Sequence, residues 1–291
     1  MMLSWLVASL ALYAAVVGGL YVAQDGLLFP REATRRGALP LPDGAERVEL
    51  ASPGGDRLVG HVLRRPGARD IVLLFTGNAW NAEDCLIFSA ERLTDVHLVA
   101  FHYRGYAPSE GSPSEAALIA DAVAQRELAL RLFGTPPGQP EPRVFAIGYS
   151  IGTGVAARLA GDGLVDGAVL VTPFDSVEAV ARARYFFAPV PLLLKHKFRS
   201  DLALAGKEVP VAVIAASDDR VIPKPRTDAL VETLARPVMV ETVEGAGHAS
   251  LYDMPLFGRH LVQALARVAA AAGEREPTPA RPTGHDVVLE G

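Results

Sequence analysis

The stretch Arg143 to Ala157, RVFAIGYSIGTGVAA, decides how this chain is read. A short apolar run, Val144 to Ile147, ends in Gly148-Tyr149-Ser150-Ile151-Gly152, and small residues follow at Thr153, Gly154, Ala156 and Ala157. A serine with a glycine two residues away on each side fits a sharp strand-to-helix bend, because only a missing side chain lets strand and helix approach so closely there. Ser150 then stands at the tip of the bend, its hydroxyl exposed and a helix N-terminus beneath it. Gly-x-Ser-x-Gly is a degenerate pattern in a chain with 27 glycines, so the motif alone does not make a nucleophile. The flanking segments decide the matter.

Apolar runs of strand length recur on both sides: Asp70 to Phe75, His97 to Tyr103, Gly167 to Thr172, Val209 to Ala215 and Pro237 to Val243. Helical patterns separate them at Ala82 to Leu93, Ser114 to Phe133 and Arg226 to Leu234. Asn81, with Asp84 three residues on, reads as a helix cap. Arg47 to Arg64 alternates in two strands about Pro53-Gly54-Gly55-Asp56 and predicts an antiparallel hairpin. Such alternation predicts an α/β fold, an open, mostly parallel sheet covered by helices on both faces, with reactive groups at the carboxyl ends of its strands. Residues 173–208, with ARARYFFAPVPLLLKHKF inside, match neither period throughout; their aromatic and leucine content suits a small lid over the sheet edge, or else a surface helical excursion. A last helix runs from Met254 to Ala272, and residues 273–291, Pro-rich and aperiodic, read as a disordered tail.

The 291 residues, half of them hydrophobic, predict one domain over residues 47–272 with appendages. A net charge of -5 leaves no basic surface of the kind nucleic acid requires. Cys85, the one cysteine, lies in a predicted helix as an inert thiol. Residues 1–24 carry no charged side chain, and Met2 to Ala23 is apolar or small apart from Ser4 and Ser9, enough at ~1.5 Å per residue to cross a ~30 Å hydrocarbon core. The stretch reads as a membrane anchor rather than a cleavable signal, since it lacks a positive leading region, is long for its apolar part and shows no clean Ala-x-Ala site before Asp25. Residues 25–46 then form a linker, and Arg31, Arg35 and Arg36 after the span put the body of the protein in the cytoplasm.

A serine hydroxyl is a weak nucleophile unless a base accepts its proton and a third group orients that base. Asp218 and Asp219 directly follow the run ending at Ser217, and His248 sits in Gly245-Ala246-Gly247-His248 after the last strand. The three therefore come at carboxyl ends of one sheet in the order Ser, Asp, His. Most of the seven histidines lie within strands, helices or the tail; His248 differs in being held at a glycine-flanked loop tip. The aspartate pair has a structural alternative, a turn device ahead of Val221-Ile222-Pro223. An oxyanion hole needs two backbone N–H groups, which Ile151 and Asn78 are placed to supply.

On the segments FTGNAWN (75–81), YRGYAPSEGSPSE (103–115), GYSIGTGVA (148–156), TPFDS (172–176), DDRVIP (218–223) and GAGH (245–248), the chain resembles the α/β-hydrolase fold. Within that fold it is similar to the Bem46-like membrane-anchored serine hydrolases of the ABHD12, ABHD13 and ABHD17 type. The resemblance implies Ser150 as nucleophile, His248 as base and Asp219 as orienting acid, with Asp218 the alternative. Thr76-Gly77-Asn78 stands where the family usually has His-Gly-Asn, and Ala216 where it usually has glycine.

The expectation is a membrane-tethered hydrolase that cleaves a carboxylic ester or thioester of a small-molecule or lipid-like substrate through an acyl-enzyme on Ser150. A peptidase or amidase would use the same groups, and a non-catalytic binding protein would keep the fold without turnover. No metal-ligand cluster, nucleotide loop or phosphate cradle is legible, so no metal and no cofactor is expected.

Overall fold

The computed structural model describes residues 1–34, 39–135 and 140–273. Eight strands form one sheet in the order β1-β2-β4-β3-β5-β6-β7-β8. They are β1 (Ala45–Ala51), β2 (Arg57–Leu63), β3 (Ile71–Phe75), β4 (His97–Phe101), β5 (Val144–Tyr149), β6 (Gly167–Val171), β7 (Val211–Ala216) and β8 (Pro237–Val243). The predicted hairpin is present as antiparallel β1 and β2, β2 runs antiparallel to β4, and every later pairing is parallel.

The helices are α1 (Met2–Leu28), α2 (Ala82–Ala90), α3 (Glu115–Phe133), α4 (Gly152–Gly161), α5 (Val177–Arg184), α6 (Val190–Leu193), α7 (Ser200–Leu204), α8 (Lys224–Val231) and α9 (Pro255–Gly273). Side chains of β3 show why both sheet faces must be covered: Ile71, Leu73 and Phe75 join a core with α3 and α4, while Val72 and Leu74 join a second core with α2 and α9. Every residue of β3 to β7 is buried, as a continuous apolar run in a parallel sheet requires. The caps are local: Asn81 accepts from the Asp84 amide, and Ser114 from that of Ala117. α8 starts two residues before the expected Arg226 because Pro225 is tolerated in a first helical turn.

Two boundaries differ from expectation. α1 continues four residues past Gln24 into the expected linker, because Asp25 is held by Lys195 and His196 and Phe29 packs edge-on to His196 and Phe198. The segment 173–208 is three short helices, α5 to α7, and it is to this segment that the foot of α1 is tied. The expected tail, beyond Gly273, lies outside the described residues. Cys85 is fully buried, and burial pushes its thiol far up from the ordinary range.

The bend after β5 is closed by two contacts. A Cβ on Gly148 would stand 2.4 Å from the Gly152 carbonyl oxygen, and one on Gly152 would stand 2.2 Å from that of Phe75. Both obstacles are backbone, which cannot swing aside. Gly152→Ala is therefore expected to destabilise the protein by about 2 kcal/mol or more, lowering the melting temperature by roughly 5 °C or more. Gly26→Ala, where a Cβ meets nothing within 4 Å, is expected to leave it nearly unchanged; differential scanning calorimetry in detergent compares the two.

Candidate active site

Ser150 occupies the bend with φ of 51°, left-handed backbone that a non-glycine residue adopts only when its surroundings impose it. The imposing contacts are the two glycine approaches and a bond from the Ser150 amide to the Val171 carbonyl. α4 begins at once, with Ile151 as its N-cap residue, so the serine hydroxyl lies over the positive end of a ten-residue helix.

The loops after β7 and β8 bring Asp219 and His248 to this serine. His248 Nε2 lies 2.9 Å from Ser150 Oγ, and its Nδ1 lies 2.7 Å from Asp219 Oδ2. The other carboxylate oxygen of Asp219 accepts the Val221 and Ile222 amides at 2.8 and 2.7 Å, which fixes the carboxylate's direction. Asp218 is turned away, next to Ser217 Oγ. Both of these residues serve the loops instead, since the Asp218 amide donates to the Ala246 carbonyl and Ser217 Oγ accepts from the Gly245 amide. These bonds lock the acid loop to the histidine loop. Gly245 has φ of 72°, which permits the turn that carries His248 back toward the sheet.

Opposite the bend, residues 76–80 form the second wall, with a Cβ on Gly77 3.7 Å from that of Ser150. Among the described residues, the Ile151 and Asn78 amides donate to no acceptor in the fold, as an oxyanion site requires. Thr76, where the resemblance leads one to expect histidine, is buried, and its carbonyl accepts from the Tyr103 hydroxyl at 2.8 Å. Tyr103 is buried too, and burial pushes its phenol well above the ordinary range, so it remains a donor. This positioning bond was not deducible from the sequence: Tyr103 stood in the quoted YRGY segment, but nothing there indicated its partner.

A cleft of about 900 Å³ opens over Ser150 and His248. Trp80, Phe88, Tyr252 and Met254 supply its apolar walls, and the rings of Trp80, Phe88, Tyr149 and Tyr252 pack against one another with centroids 5.2 to 6.5 Å apart. No residue of 173–208 lines it. One group of described residues could hold a cation: His61, Glu83 and His102, distant in sequence, bring their ligand atoms within 4.8 Å of one another. None of the three lines the serine cleft. The sequence offered no spacing that would have joined them.

The arrangement can move a proton from the serine hydroxyl to an imidazole whose other nitrogen faces a fixed carboxylate. No family model matches the chain. Over 236 residues it is 32% identical to an uncharacterized protein of Mycobacterium tuberculosis, the match covering 78% of this chain and 79% of that one. Over 226 residues it is 30% identical to human alpha/beta hydrolase domain-containing protein 17B, covering 75% and 73%. Among solved structures, the Pyrococcus furiosus esterase Pf2001 superposes with a TM-score of 0.64 at 18% identity, covering 80% of this chain and 98% of the esterase.

Tyr103→Phe removes the donor to the Thr76 carbonyl and leaves that group buried without its partner, at a cost of about 1–3 kcal/mol. The expected outcome is a lower melting temperature together with faster amide exchange at Gly77 and Asn78, read by hydrogen–deuterium exchange mass spectrometry.

Proposed function

The chain belongs to the α/β-hydrolase family, and on that premise we propose that it is a membrane-anchored serine hydrolase cleaving carboxylic esters or thioesters through an acyl-enzyme on Ser150. The observation that carries this reading is the pair of contacts, 2.9 and 2.7 Å, that links Ser150 to Asp219 through His248. Ser150 Oγ attacks the carbonyl carbon while His248 Nε2 takes its proton, and Asp219 stabilises the imidazolium at Nδ1. Charge gathers on the former carbonyl oxygen, where the Ile151 and Asn78 amides would receive it, each donor contributing roughly 3 kcal/mol. Collapse expels the alcohol or thiol, protonated by His248, and leaves the acyl group on Ser150. Water then attacks the acyl carbon, giving a proton to His248; breaking of the bond to Ser150 Oγ releases the carboxylic acid as His248 returns that proton to the serine.

The apolar aromatic cleft favours an acyl chain over a polar peptide, which supports an ester or thioester of lipid-like character. α1 supports the anchor: its apolar window has a mean hydropathy of 2.0, and none of its residues is buried against the body. Arg31 and Lys195 gather at its foot, which favours a cytoplasmic body.

Hydrolysis of p-nitrophenyl esters of increasing chain length tests the reading. We expect kcat/KM for the octanoyl ester to exceed that for the acetyl ester, a loss of about 10⁴ in kcat for Asp219→Asn, and near-normal turnover for Asp218→Asn. Equal losses for the two aspartate variants would remove Asp219 from the mechanism, and a preference for acetyl would count against a lipid-like substrate.

A further inference from the structure

The segment 185–195 does not cover the serine; it climbs the side of α1. At the foot, Gln24 holds it from both ends of its amide, Nε2 donating to the Leu193 carbonyl at 3.3 Å and Oε1 accepting from the Lys195 amide at 2.9 Å. Lys195 Nζ reaches Asp25 at 2.8 Å. At the other end, the Tyr13 hydroxyl donates to the Phe187 carbonyl at 3.0 Å. Ala23, the last residue of the apolar span, lies ten residue steps along the helix from Tyr13, which is ~15 Å or about half of a ~30 Å hydrocarbon core. A chain segment bonded to Tyr13 on one side and to Gln24 on the other therefore rises beside the anchor into the depth the anchor spans.

The composition of that segment fits the same place. Phe186 and Leu192 are 86% and 85% exposed, and Phe187 is 43% exposed, a cluster of large apolar side chains that the protein itself leaves uncovered. Between this segment and α1 lies a groove of about 620 Å³, walled by Val17, Leu20, Leu27, Val180, Leu193 and Leu194. It reaches Arg220 and Val221, the residues directly after Asp219. Arg182 and Arg184, at the end of α5, have stems long enough to return their guanidinium groups to lipid phosphates.

We infer that residues 185–194 are a second membrane-embedded element, and that the hydrocarbon of bilayer lipids covers Phe186, Phe187 and Leu192 and fills the groove beside α1. The inference rests on the anchor proposed above. The apex then dips into one leaflet without crossing it, and the groove opens from the acyl-chain layer toward the loop that carries Asp219.

Depth-resolved fluorescence quenching tests this on the full chain in phosphatidylcholine vesicles. Single cysteines at Phe186→Cys, Leu192→Cys, Val16→Cys in the anchor and Asp162→Cys at the far end of α4 are labelled with an environment-sensitive fluorophore. Native Cys85 is buried and does not compete. Lipids with a nitroxide deep in the acyl chain are expected to quench labels at 186 and 192 about as strongly as at 16, with blue-shifted emission, and to leave 162 unquenched. Labels at 186 and 192 that behave like 162 while 16 is quenched would overturn the inference and leave the anchor standing. An unquenched label at 16 would overturn the anchor and the inference with it.

Discussion

The backbone contact between strand β3 and the first residue of α4 is the constraint on which the site depends. Gly152 sits so close to the Phe75 carbonyl that no side chain fits, and Gly148 approaches Gly152 in the same way. The chain leaving β5 must therefore turn at Ser150, in left-handed backbone, rather than one residue earlier or later. The turn aims the Ser150 hydroxyl out of the sheet and lays α4 beneath it. It also brings the serine under the 76–80 loop, so one bend sets both the proposed nucleophile and one wall of its cleft.

The partners arrive through parallel pairing. β7 and β8 end side by side, and each delivers a short loop to the same edge as β5. Bonds from Gly245 to Ser217 and from Asp218 to Ala246 hold the two loops in register, and the Val221 and Ile222 amides aim the carboxylate. Adjacent aspartates thus act differently, Asp219 facing the imidazole while Asp218 uses its backbone to tie the loops.

What the sequence made legible was what is local or periodic. Buried runs such as Ile71–Phe75 and Val211–Ala216 read as strands, and the glycine-flanked serine read as a bend, because each signal lies within a few residues. Strand ends could be named, so the meeting of residues 150, 219 and 248 could be expected. Contacts between remote segments were not legible. The Tyr103 bond to Thr76, which holds the loop where histidine was expected, depends on packing that no spacing encodes. The meeting of His61, Glu83 and His102 was hidden for the same reason. The sequence left residues 173–208 open between a lid and a surface helical excursion, because apolar residues that line a cleft and apolar residues on an outer face have one composition; the bonds that tie the segment to Gln24 and Tyr13 join remote parts of the chain.

The account depends on a hydroxyl made nucleophilic by its place on that bend. Its most direct measurement is reaction of the membrane-reconstituted full chain with a fluorophosphonate, followed by peptide mapping. One adduct is predicted, on the peptide that contains Ser150, and none in His248→Ala. A fully folded protein that forms no adduct, or forms it elsewhere with Ser150 unmodified, would contradict the account.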